Sequence, residues 1–363
     1  MTSAKICIVG AGAIGGYLAV RLARAGNQVS VIARGAQLAA IRSRGLTLID
    51  AEGGRETAAG LAATDALTDL GQQDIVIIAV KAHQLATIIE GLPRLFHSES
   101  IVVPMQNGIP YWYFQRHGGQ WDGYTVSTVD PEGRIARTID PQRVIGCVVY
   151  PATTVVQPGV IKHIEGNRFP FGELDGRETE RVAWLSAVFT AAGLKSPVLD
   201  NIRSEIWLKL WGNLSFNPIS ALTHATLADI CRFPLGRELA AAMMTEAQAI
   251  ANRLGITFRL PLEKRIAGAE KVGHHKTSML QDIEAGRAIE IDALLGSVIE
   301  LGKITCTPTP HLDAVYACVK LLSHATLERN ACVRTLEVQG IAAPIVPEAR
   351  PAPDFTPAFG AAA

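Results

Sequence analysis

The stretch Lys5–Gly16, Lys-Ile-Cys-Ile-Val-Gly-Ala-Gly-Ala-Ile-Gly-Gly, decides how the remainder of the chain is read. An apolar run from Ile6 to Val9 leads into Gly10, Gly12 and Gly15 at G-x-G-x-x-G spacing, and apolar residues then recur at helical intervals from Ala13 to Ala25. That is a strand, a glycine turn and a helix. A dinucleotide needs the first glycine for a tight turn, the second so that backbone can approach a pyrophosphate, and the third so that helix and strand pack closely. Ala13 and Ile14 open the helix, whose free N-terminal amides and partial positive charge suit an anion. Gly10, Gly12, Ala13, Ile14 and Gly15 are therefore the expected cofactor contacts.

Outward from this turn, Val29 to Ile32 is a second short apolar run that ends in Ala33-Arg34-Gly35. About 20 residues past the glycine turn an Asp or Glu would bind the ribose 2'-hydroxyl of NAD. Arg34 stands there instead. A guanidinium suits a 2'-phosphate, so the expected cofactor is NADP, with Gln37 and Arg42 able to line the same pocket; the plain alternative is a solvated arginine at a strand end. Gly45 to Leu61 reads as β structure, Asp74 to Lys81 as a parallel strand buried on both faces, and Ile101 to Met105 as the next strand, ending in Gln106-Asn107-Gly108. Ligands of open α/β sheets bind at the carboxyl ends of strands, which makes Lys81 and Asn107 candidates, although Asn-Gly is also an ordinary turn dipeptide.

Arg116 to Asp140 is polar and punctuated by Gly118-Gly119 and Asp130-Pro131, and reads as a surface excursion. Short strands over Val144 to Gly172 and a helix over Glu178 to Ala192 complete a first domain of residues 1–196. From Ile202 helical periodicity takes over, so residues 197–338 form a helical domain for substrate and dimerisation. Beyond Ile341 the chain is Ala and Pro with little else, and residues 339–363 read as a disordered tail.

Composition agrees with two domains: 363 residues with 48% hydrophobic content exceed one ordinary core. Lys plus Arg and Asp plus Glu both number 34, so net charge gives no reason to expect nucleic acid or an anionic membrane as partner. No apolar run approaches the ~20 residues that span a bilayer, and Met1 to Ala4 leaves no room for a signal peptide, so a cytoplasmic location is expected. The six cysteines form no C-x-x-C pair and read as core thiols, and the histidines lack ligand spacing, so no metal is expected.

Ser204 to Asn217 reads as one helix stopped by Pro218. At helical spacing Lys209, Asn213 and Asn217 fall within about 80° of one another, with Trp207, Leu210, Trp211 and Leu214 opposite. A solvated polar stripe gives the same pattern, yet asparagine is a poor choice for an exposed helix interior. Further on, Ser278 and Asp282 share a helical face and Glu290 follows the break at Gly286; capping accounts for Ser278 and Glu290 as readily as function does.

The order of these motifs resembles the ketopantoate reductase (2-dehydropantoate 2-reductase) family. They are Gly10-x-Gly12-x-x-Gly15, Gln106-Asn107-Gly108, Trp207-x-Lys209-Leu210-x-x-Asn213-x-x-x-Asn217-Pro218, Ser278-Met279-Leu280-Gln281-Asp282 and Glu290-Ile291-Asp292. The resemblance covers the chain to about residue 338. It implies an α/β fold, with an N-terminal Rossmann dinucleotide-binding domain followed by an all-α domain, and NADPH-dependent reduction of ketopantoate to pantoate in pantothenate and coenzyme A biosynthesis. By position it makes Lys209 the catalytic lysine and Glu290 a catalytic or substrate-binding glutamate that also counts among the cofactor contacts. Asn107, Asn213, Asn217 and Ser278 become substrate and cofactor contacts, with Asn213, Asn217 and Ser278 on the substrate side. Leu227 stands where a further asparagine is common in members that make pantoate, so another small 2-oxo acid remains an alternative substrate. A non-catalytic NADP-binding sensor remains an alternative of a different class, and a homodimer is compatible with the apolar helical domain.

Overall fold

The computed structural model describes residues 3–336; the expected tail at 339–363 lies outside the described residues. Packing divides the chain into two units. The first holds residues up to 214 together with 247–259 and 290–309, and the second holds 215–246, 260–289 and the chain from 310.

The first unit is built on a five-stranded parallel sheet of order β5-β2-β1-β6-β7. Strand β1 (Lys5–Val9) leads into α1 (Ala13–Arg24), β2 (Gln28–Ile32), α2 (Gly35–Arg44), the antiparallel pair β3 (Leu46–Ile49) and β4 (Arg55–Ala58), and β5 (Ala62–Thr64). β6 (Gln73–Ile78), α3 (Ala82–Leu85) and β7 (Phe96–Pro104) complete the sheet. Ile6, Cys7, Ile8, Ile75, Val76, Ile77, Val102 and Val103 are all fully buried, which is why these strands read as continuous apolar runs with no alternation. The connection from β1 runs to β2 on one side, while β6 pairs with β1 on the other. The end of β1 is thus the switch point of the sheet, where a crevice opens for a ligand.

Helix α1 is buried on nearly every side because a second sheet, β4-β3-β10-β9, covers it. Its later strands β9 (Ala152–Gln157) and β10 (Val160–Glu165) come a hundred residues further along the chain. A side chain at Gly16 would meet Ile161 of β10 at 2.7 Å, so the fourth glycine of the turn serves this second sheet.

Arg116 to Asp140 is not the surface excursion expected from its polarity. Val126, Asp130, Ile135 and Ile139 are buried, and α4 (Arg134–Thr138) is capped by the Asp130 carboxylate, which accepts from the amides of Ile135 (2.8 Å) and Ala136 (2.9 Å). Three buried apolar side chains, Val126, Ile135 and Ile139, suffice to anchor the segment, and the polar and charged residues between them mask them in the sequence. β8 (Ile145–Cys147) pairs with β11 (Phe171–Glu173), and α5 (Glu180–Ala191) follows.

Helix α6 (Ile202–Thr223) runs past Pro218, which the sequence had marked as its end. Proline removes one helical donor, the one that would serve the Leu214 carbonyl. Burial of Phe216, Ile219, Ser220 and Ala221 outweighs that single loss and carries the helix on. The division between the two units falls after Leu214, within this helix.

Then come α7 (Leu227–Arg232), α8 (Pro234–Arg253), α9 (Leu262–Val272), α10 (Ser278–Glu284), α11 (Ser297–Ile304) and α12 (Pro310–Glu328). The second unit is helical among the described residues, so the chain has the α/β-then-helical class. No helix among the described residues is long and apolar enough to cross a membrane. Of the cysteines, Cys7, Cys147 and Cys231 are core thiols, but Cys306, Cys318 and Cys332 are exposed. The helical face of α12 that carries Cys318 is apolar enough by composition to mimic a core position.

Candidate active site

The glycine turn has the geometry its spacing requires. Gly10 has φ +105°, and a Cβ there would lie 2.8 Å from Val80 Cγ1 and 3.0 Å from the Val80 nitrogen. A Cβ at Gly15 would lie 1.9 Å from the Gly10 carbonyl oxygen, so α1 sits as close to β1 as glycine permits. A Cβ at Gly12 would meet no neighbouring group within 4 Å, which leaves the approach to the turn open. Gly12 also caps α1 without a side chain, and the amides at Ala13 and Ile14 are left at the helix N-terminus as donors for an anion. These features fit a dinucleotide pyrophosphate.

Arg34 is exposed at the N-terminus of α2, two residues beyond the end of β2, with no side-chain partner among the described residues. Gln37 and Arg42 do not share its freedom. Gln37 donates to the Ala11 carbonyl (2.7 Å) and accepts from the Gly159 amide (2.9 Å), and Arg42 donates to the Ala63 carbonyl (3.0 Å). Gln37 is thus a structural tie with both ends of its amide engaged, whereas Arg34, and the guanidinium Nη groups of the exposed Arg42, can meet a 2'-phosphate.

At the carboxyl ends of β6 and β7 the structure joins three residues from distant parts of the first unit. Lys209 Nζ donates to Asn107 Oδ1 at 2.6 Å and to the Val149 carbonyl at 2.5 Å. Asn107 Nδ2 donates onward to Glu290 Oε2 (3.3 Å), and Glu290 Oε1 accepts from the Ala82 amide (3.0 Å). The asparagine uses both ends of its amide, which fixes its orientation and sets the ammonium and the carboxylate at either side of it. Lys209 and Asn213 line one pocket with Asn107, Gly108, Cys147 and Trp112. Burial lowers the pKa of Lys209 from 10.5 to about 8, against the opposing pull of the Glu290 carboxylate.

The helix that carries Lys209 is held rigidly. Trp207 and Trp211 are fully buried, Trp207 Nε1 donates to Tyr113 Oη at 2.7 Å, and Arg203 donates to the carbonyls of Tyr113, Leu174 and Gln115. One turn before Lys209, Glu205 accepts from Tyr150 Oη (2.7 Å) and pairs with Arg168. The face read as core is core, and the lysine face meets a pocket.

Lys81 caps α3 and is half-buried directly beside the Ala82 amide that holds Glu290. Asn217 and Ser278 belong to the second unit. Asn217 is buried on α6. Ser278 is the first residue of α10 and is exposed; the capping role falls to Thr277, whose hydroxyl accepts from the Leu280 amide at 3.3 Å. The hydroxyl of Ser278 is thereby spared.

Two contributors to the site had no sequence signal: the Val149 carbonyl and the Ala82 amide are backbone groups, which any residue type could supply. Glu300 is a third omission. Its carboxylate accepts from Tyr124 Oη (3.0 Å), the Ser127 amide (2.8 Å) and the amide and hydroxyl of Thr128 (2.8 and 2.5 Å), tying the 116–140 segment to α11.

The family described as ketopantoate reductase PanE/ApbA matches residues 6–176, and its C-terminal counterpart matches residues 201–323. A 2-dehydropantoate 2-reductase from Mesorhizobium japonicum is 53% identical over 320 residues, covering 88% of this chain and 98% of that one. A candidate ketopantoate reductase from Ralstonia solanacearum MolK2 superposes with a TM-score of 0.85 at 41% identity, over 90% of this chain and 99% of that one. D-mandelate dehydrogenase, solved with NADH and anilino(oxo)acetate, shares the fold with a TM-score of 0.75 at 23% identity, over 89% and 99%.

Proposed function

The chain belongs to the ketopantoate reductase family, and on that premise we propose that it reduces 2-dehydropantoate to pantoate with NADPH, a step of pantothenate and coenzyme A biosynthesis. The observation that carries the reading is the placement of Lys209 and Glu290 on either side of Asn107, at the strand ends where an α/β sheet binds its ligands. The chemistry that a nicotinamide would supply when bound is hydride transfer to the substrate's ketone. Negative charge then gathers on the ketone oxygen, and the Lys209 ammonium stabilises it and donates the proton. Asn107 and the Val149 carbonyl aim that ammonium. Glu290 accepts from the substrate's hydroxyl group, and Asn213, in the same pocket as Lys209, orients the substrate. Asn217 and Ser278 keep the substrate-binding roles that the family resemblance implies.

Following NADPH oxidation with a panel of 2-oxo acids tests this reading. Turnover with ketopantoate above all others is the expected result; preference for another acid would reassign the substrate, and turnover with none would make the chain a binding protein. The cytoplasmic location, the homodimer and the split of roles between residues 1–196 and 197–338 stand as proposals beside it.

Cofactor choice rests on Arg34. NADPH should bind more tightly than NADH, and Arg34→Ala should remove most of the difference, roughly 1 to 3 kcal/mol for a charge-assisted pair. Equal affinities in the unaltered protein, read by fluorescence titration, would refute it.

The pH dependence follows from Lys209. Reduction needs the ammonium, so kcat/KM for reduction should be level below about pH 8 and fall above it, and oxidation of pantoate should rise through the same range. The folded pKa lies below the ordinary 10.5, so between about 8 and 10.5 the unfolded chain holds the extra proton; this group's contribution to stability therefore grows as pH rises through that window. A reduction profile with no alkaline limb near 8 would remove Lys209 from the acid role.

A further inference from the structure

The segment that leads from Glu290 into α11 is not a regular α-helix. Asp292–Gly296 form a π-turn, in which the Ser297 amide donates to the Asp292 carbonyl five residues back. The Ala293 carbonyl, which an α-helix would have paired with that amide, is released. It accepts instead from Ser297 Oγ at 2.7 Å and from the Ile109 amide at 2.9 Å. Ser297 is fully buried, so its hydroxyl has no solvent alternative.

This junction lies beside the proton-transfer pair on both chains of contact. Ile109 follows Asn107 by two positions, and Ala293 follows Glu290 by three. Gly108 between them has φ +87°, and a Cβ there would stand 2.0 Å from the Ala293 carbonyl oxygen, so the turn and the π-turn meet backbone to backbone. The hydrogen bond from Asn107 to Glu290 spans the same contact.

We propose that Ser297 is a positioning residue for this reaction: its hydroxyl holds the π-turn open, and the π-turn sets where Glu290 stands relative to Asn107 and Lys209. The proposal rests on the reading of Lys209 and Glu290 as the reacting pair. Its physical basis is helical register. A π-turn holds one residue more than an α-turn, and if the Ser297 amide returned to the Ala293 carbonyl, the residues before it would rotate by about 100° around the helix axis. Glu290 would leave Asn107, and the Ile109 amide would lose its acceptor.

Ser297→Ala removes the hydroxyl without adding volume. It should lower kcat by about ten- to a hundredfold, the usual consequence of misplacing a catalytic group by an ångström. A purely structural role could do that too, so the deciding readout is the pH profile of kcat/KM. The charged group that acts on Lys209 as it titrates is the Glu290 carboxylate, which holds its pKa up, while burial keeps the neighbouring Cys147 thiol uncharged in that range. Glu205, one turn earlier on α6, is engaged by Tyr150 and Arg168 and does not change. Withdrawal of Glu290 should therefore move the alkaline limb to lower pH, by about half a unit or more. A limb that stays in place or moves up overturns the proposal, whatever happens to kcat or melting temperature. Should Ser297→Ala not fold, Ser297→Cys, of similar shape and a weaker donor, is judged by the same limb. Loss of turnover in Lys209→Ala beside an unmoved limb in Ser297→Ala removes the positioning role alone; turnover retained in Lys209→Ala removes the underlying reading.

Discussion

Replacing Lys209 by alanine is expected to lower kcat by roughly 10² to 10⁴, the usual weight of a positioned acid, and to leave the Kd for NADPH unchanged. The side chain reaches two protein acceptors, Asn107 Oδ1 and the Val149 carbonyl, in a pocket at the strand ends. Its removal leaves the Val149 carbonyl without that donor, at a cost of about 1 to 3 kcal/mol, and at the same time relieves the fold of an ammonium whose burial is unfavourable. These act in opposite directions, so the melting temperature should move little while turnover collapses. Single-turnover reduction separates the outcomes. Activity within a few-fold of the unaltered protein would return Lys209 to the rank of a helix-face lysine, whose loss costs about 0.5 kcal/mol at most. Loss of NADPH binding in proportion to turnover would make it a cofactor contact.

Gly15→Ala is expected to weaken NADPH binding by about a hundredfold. The added Cβ would meet the Gly10 carbonyl oxygen at 1.9 Å, and neither partner is a flexible side-chain end, so α1 must withdraw from β1. Overpacking of this kind costs up to about 3 kcal/mol, close to two decades in Kd, and it falls on the turn that holds the pyrophosphate. Gly12→Ala is the control, since a Cβ at Gly12 meets nothing in the protein within 4 Å and would obstruct only a ligand. The first variant should lose melting temperature and affinity together, and the second should lose affinity alone. Equal melting temperatures for both would contradict the packing argument.

The dinucleotide unit was legible because its signals are local. Glycine spacing, continuous apolar strands and the Arg34 position each follow from a few adjacent residues. The lysine face of α6 was legible for the same reason, since helical period alone separates Lys209 and Asn213 from the tryptophans. What could not be read was everything decided by distant partners. Pro218 signals a helix end, and only the burial of Ile219 to Ala221 shows why the helix continues. Arg116 to Asp140 looked solvated until Glu300 and the buried Val126, Ile135 and Ile139 accounted for it. Gln37 looked like a cofactor ligand and proved to be a bolt between the glycine turn and the Gly159 turn. Asn107 was a candidate from its place at a strand end and Glu290 from resemblance, while their bridge to Lys209 depends on separations of 102 and 183 residues that no local pattern encodes.

The first unit is discontinuous: residues 290–309 return to it after the chain has left twice, and they bring both Glu290 and Glu300. During synthesis the parallel sheet has all its strands once about residue 104 has emerged, so it can collapse while most of the chain is still on the ribosome. The proposed pair of Lys209 and Glu290 cannot. Until residues 290–309 are delivered, Lys209 has Asn107 and Val149 but not the Glu290 carboxylate, and the amides of Ser127 and Thr128 lack the Glu300 carboxylate that accepts from them. On the proposed roles, competence therefore waits for residues 290–309, which supply partners to both Asn107 and the 116–140 segment.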